Sequence, residues 1–320
     1  MADSEDEATE RVWRALPDGT RSALTRGLSP TDLQTLLIAV ARERAAQVTP
    51  ADVLRRWRRD RFVRPAACDP RQVAAVEARL WQLLPAGFSG VDLSPVAPLG
   101  TCAAVGPVSQ NRVVTTTRTT EVVSDCTNAL AVEAAVRRRD QPPGGRVDLA
   151  ACHRLLRAQV FGPGAAAHFR LFALVSSARD SGSGRTEASL LTAHLDYWLT
   201  VLEEFLPHRG PRIALTVFSD PAPLSRVLAE RLGDTVRPAL GGRAARLADD
   251  PGRTRARGYY AGLALRISAE GEDDLGDGGL VPWTARLGQD AKERCLVSCI
   301  ATERLTVLAA GDAGQPGRGA

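Results

Sequence analysis

Arg157 lies in an alternating apolar and polar run, Leu155-Leu156-Arg157-Ala158-Gln159-Val160, with no acidic neighbour in the chain. A guanidinium on a sheet face is costly to bury unpaired, so it calls for an anion, either a distant carboxylate of the fold or a ligand. Phe161-Gly162-Pro163-Gly164 breaks the run. His168-Phe169-Arg170-Leu171-Phe172-Ala173-Leu174-Val175 then resumes as a second, mostly apolar strand. Other reactive residue types are sparse. Lys292 is the single lysine among 41 basic residues, so lysine-based covalent chemistry has one candidate. The six cysteines are scattered without a Cys-x-x-Cys pair, and no His-x-x-x-His occurs. That pattern predicts buried free thiols rather than a zinc site. Ser181-Gly182-Ser183-Gly184 precedes a helix but lacks the lysine of a phosphate-binding loop. His194 falls on the apolar stripe of that helix and reads as a packing residue.

The elements that must position these residues follow from periodicity and capping. The chain has 320 residues, 44% hydrophobic and 24% charged, with net charge +4. It is long enough for a sizeable core and has no charge excess that would name a partner. No apolar run approaches the roughly 20 residues of a membrane span, and Met1 to Glu10 is acidic. A cytoplasmic protein is therefore expected. Ser29-Pro30-Thr31-Asp32 and Thr49-Pro50-Ala51-Asp52 are helix starts, the second leading into a cluster of Arg55, Arg56, Arg58, Arg59 and Arg61. Residues 1–64 form a helical N-terminal segment in this reading, and the Arg cluster is expected to be a solvated face. Asp69-Pro70 opens a helix with Val73, Val76 and Leu80 on one side, followed by a short strand Val91–Pro95. Val113 to Asp125 is rich in β-branched residues and predicts one long strand before a helix capped near Thr127. Asp125 is a candidate cap for that helix. Residues 311–320 read as a disordered tail.

Arg157-x-Gln159 followed by His168 and Phe172 resembles motif 2 of class II aminoacyl-tRNA synthetases. The helix and strand after Asp69 resemble motif 1. Cys295-Leu296-Val297-Ser298-Cys299-Ile300-Ala301-Thr302-Glu303-Arg304-Leu305 resembles motif 3. Arg255 to Gly262, with two of the chain's three tyrosines at Tyr259-Tyr260, is similar to an Arg-Gly-Leu-Asp-Tyr-Tyr-Thr-Gly element of histidyl-tRNA synthetases. Gly278-Gly279 stands where that family has Gly-Gly-Arg-Tyr-Asp. The order is that of the family across residues 69–310. The sequence departs from it at Gln159, where the family has Glu, at Val297 and Ala301, where it has glycines, and in the missing Arg-Tyr-Asp.

The resemblance implies an α+β fold, an antiparallel sheet flanked by helices, here with an extra N-terminal helical segment and without the anticodon-binding domain. It implies ATP and Mg2+ as cofactors. Arg157 would hold the α-phosphate and Arg255 the reacting carboxylate and phosphate. Gln159, His168 and Phe172 would seat the nucleotide, Arg304 would lie over the adenine, and Glu303 would stand near the metal. Glu121 and Asp125 are both candidates to receive a substrate amino group, with Tyr259, Tyr260, Gly278 and Gly279 lining the same pocket. Two functions follow. One is ATP-dependent adenylation of a small carboxylate, such as an amino acid, for an acceptor other than whole tRNA, for instance a carrier protein. The other is a non-catalytic regulatory or binding paralogue with an enzyme partner, which the departures at Gln159, Val297 and Ala301 favour. Motif 1 implies a homodimer in either case.

Overall fold

A computed structural model describes residues 2–142, 144–162, 166–219 and 222–313. The N-terminal segment forms α1 (Ala2–Arg14), α2 (Pro30–Ala46) and α3 (Pro50–Arg59). The starts of α2 and α3 are those encoded by the caps. Ser29 Oγ accepts from Asp32 N at 3.1 Å, and Thr49 and Asp52 form a reciprocal capping box at 3.1 and 3.2 Å. No residue between 7 and 64 is buried.

The remaining chain is built on α4 (Pro70–Leu83), β1 (Ser89–Gly90), β2 (Val96–Pro98), α5 (Thr101–Val105), β3 (Thr120–Val122), α6 (Cys126–Arg139), β4 (Arg146–Leu156), β5 (His168–Arg179), α7 (Arg185–Phe205), β6 (Arg212–Val217), α8 (Ala222–Arg231), β7 (Leu247–Asp249), β8 (Leu263–Ala269), β9 (Glu272–Val281), α9 (Trp283–Gly288), β10 (Glu293–Ala301) and α10 (Thr302–Ala313). Eight strands form one sheet in the order β1-β4-β5-β10-β9-β8-β6-β7. Its centre, from β4 to β6, is antiparallel, and the two edge pairings are parallel. The expected antiparallel sheet with flanking helices is thus observed.

Strand alternation sends side chains to two separate cores. On one face, here called the back, Phe172, Leu174, Leu265 and Leu296 meet α4, α7 and α10 through Leu80, Trp198, Leu202 and Leu305. On the front, Leu149, Ala173, Val175 and Val297 meet α6 and α9 through Leu130, Ala134 and Trp283.

Three elements differ from the sequence reading. The long strand expected over 113–125 folds back on itself. Thr116 N donates to Thr120 O at 2.9 Å and Val122 N to Val114 O at 2.8 Å, with Thr119 at a φ of 57°. The Thr116 and Thr120 hydroxyls bond at 2.7 Å across this turn, and Arg118 N donates to Thr116 Oγ1. β-branched composition marks extended backbone but carries no information on where it reverses. The strand after α4 is Ser89–Gly90, two residues earlier than expected, with Val91 N still bonded to Ala150 O. Of the expected tail 311–320, residues 311–313 end α10, and 314–320 lie outside the described residues.

Candidate functional site

Arg157 follows the last residue of β4 and bridges to Val113. Its parity points it to the front. Nε donates to Ser124 O at 2.8 Å, Nη2 lies 3.6 Å from Asp125 Oδ2, and the guanidinium sits 5.1 Å from the Phe169 ring centroid. Asp125 serves three groups together. Its Oδ1 caps α6 by accepting from Thr127 N at 3.0 Å and Thr127 Oγ1 at 2.7 Å, and its Oδ2 accepts from Tyr259 OH at 3.2 Å. Tyr259 packs edge-on against Tyr260 and Trp283. Cys299 Sγ donates to Asp277 Oδ1 at 3.6 Å beside them.

The electrostatics are those of groups held out of water. Burial pushes the pKa values of Tyr259, Tyr260 and Cys299 well up, with the nearby carboxylates Asp125 and Asp277 adding to it. Asp277 is raised as well, by burial first and then by Asp125, while Arg253 opposes the shift. Asp125, Arg157, Tyr259, Tyr260, Asp277 and Cys299 therefore form one polar cluster on the front face, under α6. The cluster can bind and orient polar groups, and its thiol and phenols are held in their protonated forms.

The other predicted site residues are dispersed. Glu121 is 1% exposed and accepts from Gly100 N at 2.7 Å, Cys102 N at 2.8 Å and Gln110 Nε2 at 3.0 Å. It anchors the start of α5, so of the two acidic candidates only Asp125 stands beside Arg157. Phe172 is fully buried on the back, 4.7 Å from Trp81 and 5.9 Å from Tyr197 between ring centroids. It cannot reach a front-face nucleotide. An odd-numbered neighbour, Phe169, holds the position against Arg157 instead. The strand period of two supplies the missing signal, because 169 and not 172 shares the front face with 171, 173 and 175. His168 also turns away, accepting from Arg154 Nη1 at 2.8 Å and donating to Arg64 O at 2.6 Å. Gln159 offers its carbonyl to Arg61 Nη1 at 2.8 Å.

Glu303 accepts from Arg154 Nη2 at 2.7 Å. Arg304 donates to Glu272 Oε1 at 3.1 Å and to Asp274 O at 3.0 Å, and Arg255 pairs with Asp274 Oδ2. Arg255 and Arg304 thus meet at the start of β9, whereas Arg157 extends from β4. Sheet order separates those strands by β5 and β10, about 14 Å at the usual strand spacing. Each of the three guanidiniums already faces a carboxylate of the chain. These residues do not fit an ATP site, and Glu303, held by Arg154, does not fit a phosphate-bridging metal beside Arg157. Among the described residues no three His, Cys, Asp or Glu side chains cluster as metal ligands.

Gly278 and Gly279 lie within β9 and serve packing. A Cβ on Gly278 would stand 2.4 Å from Val297 O, and one on Gly279 2.5 Å from Leu263 O and 2.7 Å from the Tyr260 ring. Gly279 is what lets the Tyr260 ring pack this close to β9. Gly279→Ala is expected to destabilise the protein by about 1–3 kcal/mol. Urea denaturation checks the loss, and a reduced near-ultraviolet tyrosine signal checks that Tyr260 has moved. All six cysteines are free, and Cys102, Cys126 and Cys295 are buried. No helix among the described residues is long and apolar enough to cross a membrane.

The sheet order, its two edge pairings and the helix placement define the class II aminoacyl-tRNA synthetase fold. Within that class the chain is similar to the histidyl branch. An ATP phosphoribosyltransferase regulatory subunit/histidyl-tRNA synthetase from Bacillus halodurans superposes with a TM-score of 0.58 at 11% identity, over 77% of this chain and 82% of that one. A histidine–tRNA ligase subunit from Alicyclobacillus acidocaldarius gives 0.55 at 16%, over 78% and 98%. Histidyl-tRNA synthetase from S. aureus gives 0.54 at 14%, over 78% and 67%. At these identities the likeness is one of fold. No protein-family model and no curated protein matches the sequence.

Proposed function

We propose that the chain is a non-catalytic regulatory or binding subunit built on a histidyl-tRNA synthetase-like core. One observation carries this reading: sheet order holds Arg157 apart from Arg255 and Arg304, and each of the three faces a carboxylate of the same chain, Asp125, Asp274 and Glu272. Adenylation needs fixed cations free to meet the charge that develops on the α-phosphate. Here Val297 is buried in the front core, and α6 lies across that face. The regulatory name carried by the Bacillus halodurans neighbour supports the same direction. In this reading the partner is an enzyme, the chain acts in the cytoplasm, and α4 with β1 supplies a homodimer contact.

A second reading keeps the enzyme. The front cluster of Asp125, Arg157 and Tyr259 remains partly open, with the Arg157 and Asp125 side chains 29% and 21% exposed. A ligase acting on an amino acid or related carboxylate would place its substrate there, against Asp125 and Arg157.

Pyrophosphate exchange separates the two. Incubated with ATP, Mg2+, labelled pyrophosphate and each proteinogenic amino acid in turn, the protein is expected to put no label into ATP and to show no ATP-dependent thermal shift. Exchange with any one amino acid, abolished by Arg157→Ala, overturns the regulatory reading.

A further inference from the structure

α3 divides its side chains by chemistry more sharply than α1 or α2. Val53, Leu54 and Trp57 are 55%, 52% and 53% exposed. At about 100° per residue they share one arc roughly 100° wide. Arg58 stands about 40° beyond Leu54 on one side of that arc, and Arg56 about 60° beyond Val53 on the other. Arg55 and Arg59 take the opposite face.

The positive charge of this stretch is largely uncompensated. Residues 50–64 hold six arginines and two acids, a net charge of +4. Both acids are already engaged. Asp52 closes the Thr49 capping box and pairs with Arg55, and Asp60 accepts from Phe62 N at 2.9 Å. Among the described residues the side chains of Arg56, Arg58 and Arg59 make no ion pair or hydrogen bond. The far end of the helix is tied to the core. Arg61 Nη1 donates to Gln159 O at 2.8 Å and Nη2 to Ala158 O, and the next residue, Val160, is 74% exposed.

An exposed apolar trio with unpaired cations on both flanks fits a partner that is apolar inside and anionic at its surface. Single-stranded nucleic acid would meet the arginines and stack on Trp57, yet it would leave Val53 and Leu54 in water. A phospholipid bilayer covers all three. Its hydrocarbon takes the trio, and the stems of Arg56 and Arg58 run up the sides of the helix so that their guanidiniums reach the phosphates.

We propose that α3 lies on an anionic phospholipid surface, apolar face down, and tethers the core to it. The trio alone is small and the charge alone is screened by salt, so binding needs both. The inference is independent of the proposed function, and adds to it a place at the cytoplasmic face of a membrane.

Sedimentation of the full-length protein with vesicles tests it. Binding to phosphatidylcholine containing about 30% phosphatidylglycerol is expected to exceed binding to phosphatidylcholine alone by about tenfold. Leu54→Ser/Trp57→Ser and Arg56→Gln/Arg58→Gln/Arg59→Gln are each expected to lower binding to the anionic vesicles by about tenfold, with the melting of the core unchanged. Trp57→Phe keeps the apolar face and serves where the serine variant loses its helix. It is expected to retain binding, while the quenching of tryptophan emission by lipids brominated in their acyl chains falls. Equal binding to both vesicle types overturns the proposal, as does full binding by either multiple variant or quenching unchanged in Trp57→Phe. Binding to poly(U) that survives Leu54→Ser/Trp57→Ser, with no binding to vesicles, assigns the arginines to nucleic acid and overturns it too.

Discussion

Glu293→Ala is expected to remove about 3–5 kcal/mol of stability, among the largest losses available to a single side chain outside the apolar cores. Arg138 Nε and Nη2 donate to Glu293 Oε2 and Oε1 at 2.9 and 2.8 Å, Arg138 Nη1 donates to Gly145 O at 2.6 Å, and Ser177 Oγ donates to Glu293 Oε2 at 3.1 Å. The two charged side chains are 7% and 9% exposed. Removing the carboxylate leaves a largely buried guanidinium without its counter-charge, and that orphaned charge, rather than the lost attraction, sets the cost. Arg79→Ala supplies the contrast. Its partner Glu204 lies 2.7 Å away, yet both side chains are more than 40% exposed and solvent screens the pair, so the change is expected to leave stability nearly unaltered. Urea denaturation of the two variants checks the difference.

The consequence extends to the front face. Arg138 lies in the last turn of α6 and Glu293 at the start of β10, while Asp125 and Arg157 hold the first turn of the same helix. The two pairs are polar fastenings that keep α6 across the front face of the sheet. Glu293→Ala should therefore raise the labelling rate of Cys295, whose thiol burial pushes up to about 12. A destabilised protein with Cys295 still unlabelled would show that the buried apolar contacts of α6 suffice without the pair.

The parts of this architecture that were legible in the sequence are those fixed by local rules. Caps at Ser29, Thr49 and Asp69 set three helix starts, and the stripe Val73, Val76 and Leu80 is buried as its period requires. Family order from motif 1 to motif 3 placed the sheet. The site was less legible, because pairing across strands is a property of the fold. Nothing near Arg255 in the chain announces Asp274, and nothing near Arg304 announces Glu272; both acids come from one hairpin strand that packs beside them. Glu121 looked free because its partners are two backbone amides and a glutamine. Its spacing from His168 singles out Phe172, but spacing by four along a strand keeps both residues on the back face. Counting parity from Arg157 would have selected Phe169.

His194 is a packing residue with complete burial, but its nitrogens also order a chain of hydrogen bonds with consequences for acid stability. Trp198 Nε1 donates to Ser298 Oγ at 2.7 Å, which leaves the Ser298 hydroxyl to donate to His194 Nδ1, also at 2.7 Å. Nε2 then carries the proton and donates to Ser176 Oγ at 2.9 Å, and Ser176 donates to Asp148 Oδ1. The imidazole is thus fixed neutral. Burial first, with the Arg146 charge second, lowers its pKa from 6.5 to about 3. Between those values the unfolded chain binds a proton that the folded chain refuses, so stability is full above the higher value and falls as pH falls below it. The loss approaches about 5 kcal/mol by pH 3, of which about 2 kcal/mol falls between pH 6.5 and 5, above the range of most carboxylates. His153, lowered chiefly by burial, adds loss of the same sign. Denaturation midpoints of wild type and His194→Gln, taken across that interval, isolate the imidazole: the variant is expected to be less stable at pH 7 and to have a shallower slope. Equal slopes would mean that His194 takes up its proton in the folded protein at an ordinary pH, and that the Ser298 to Asp148 relay does not hold it neutral.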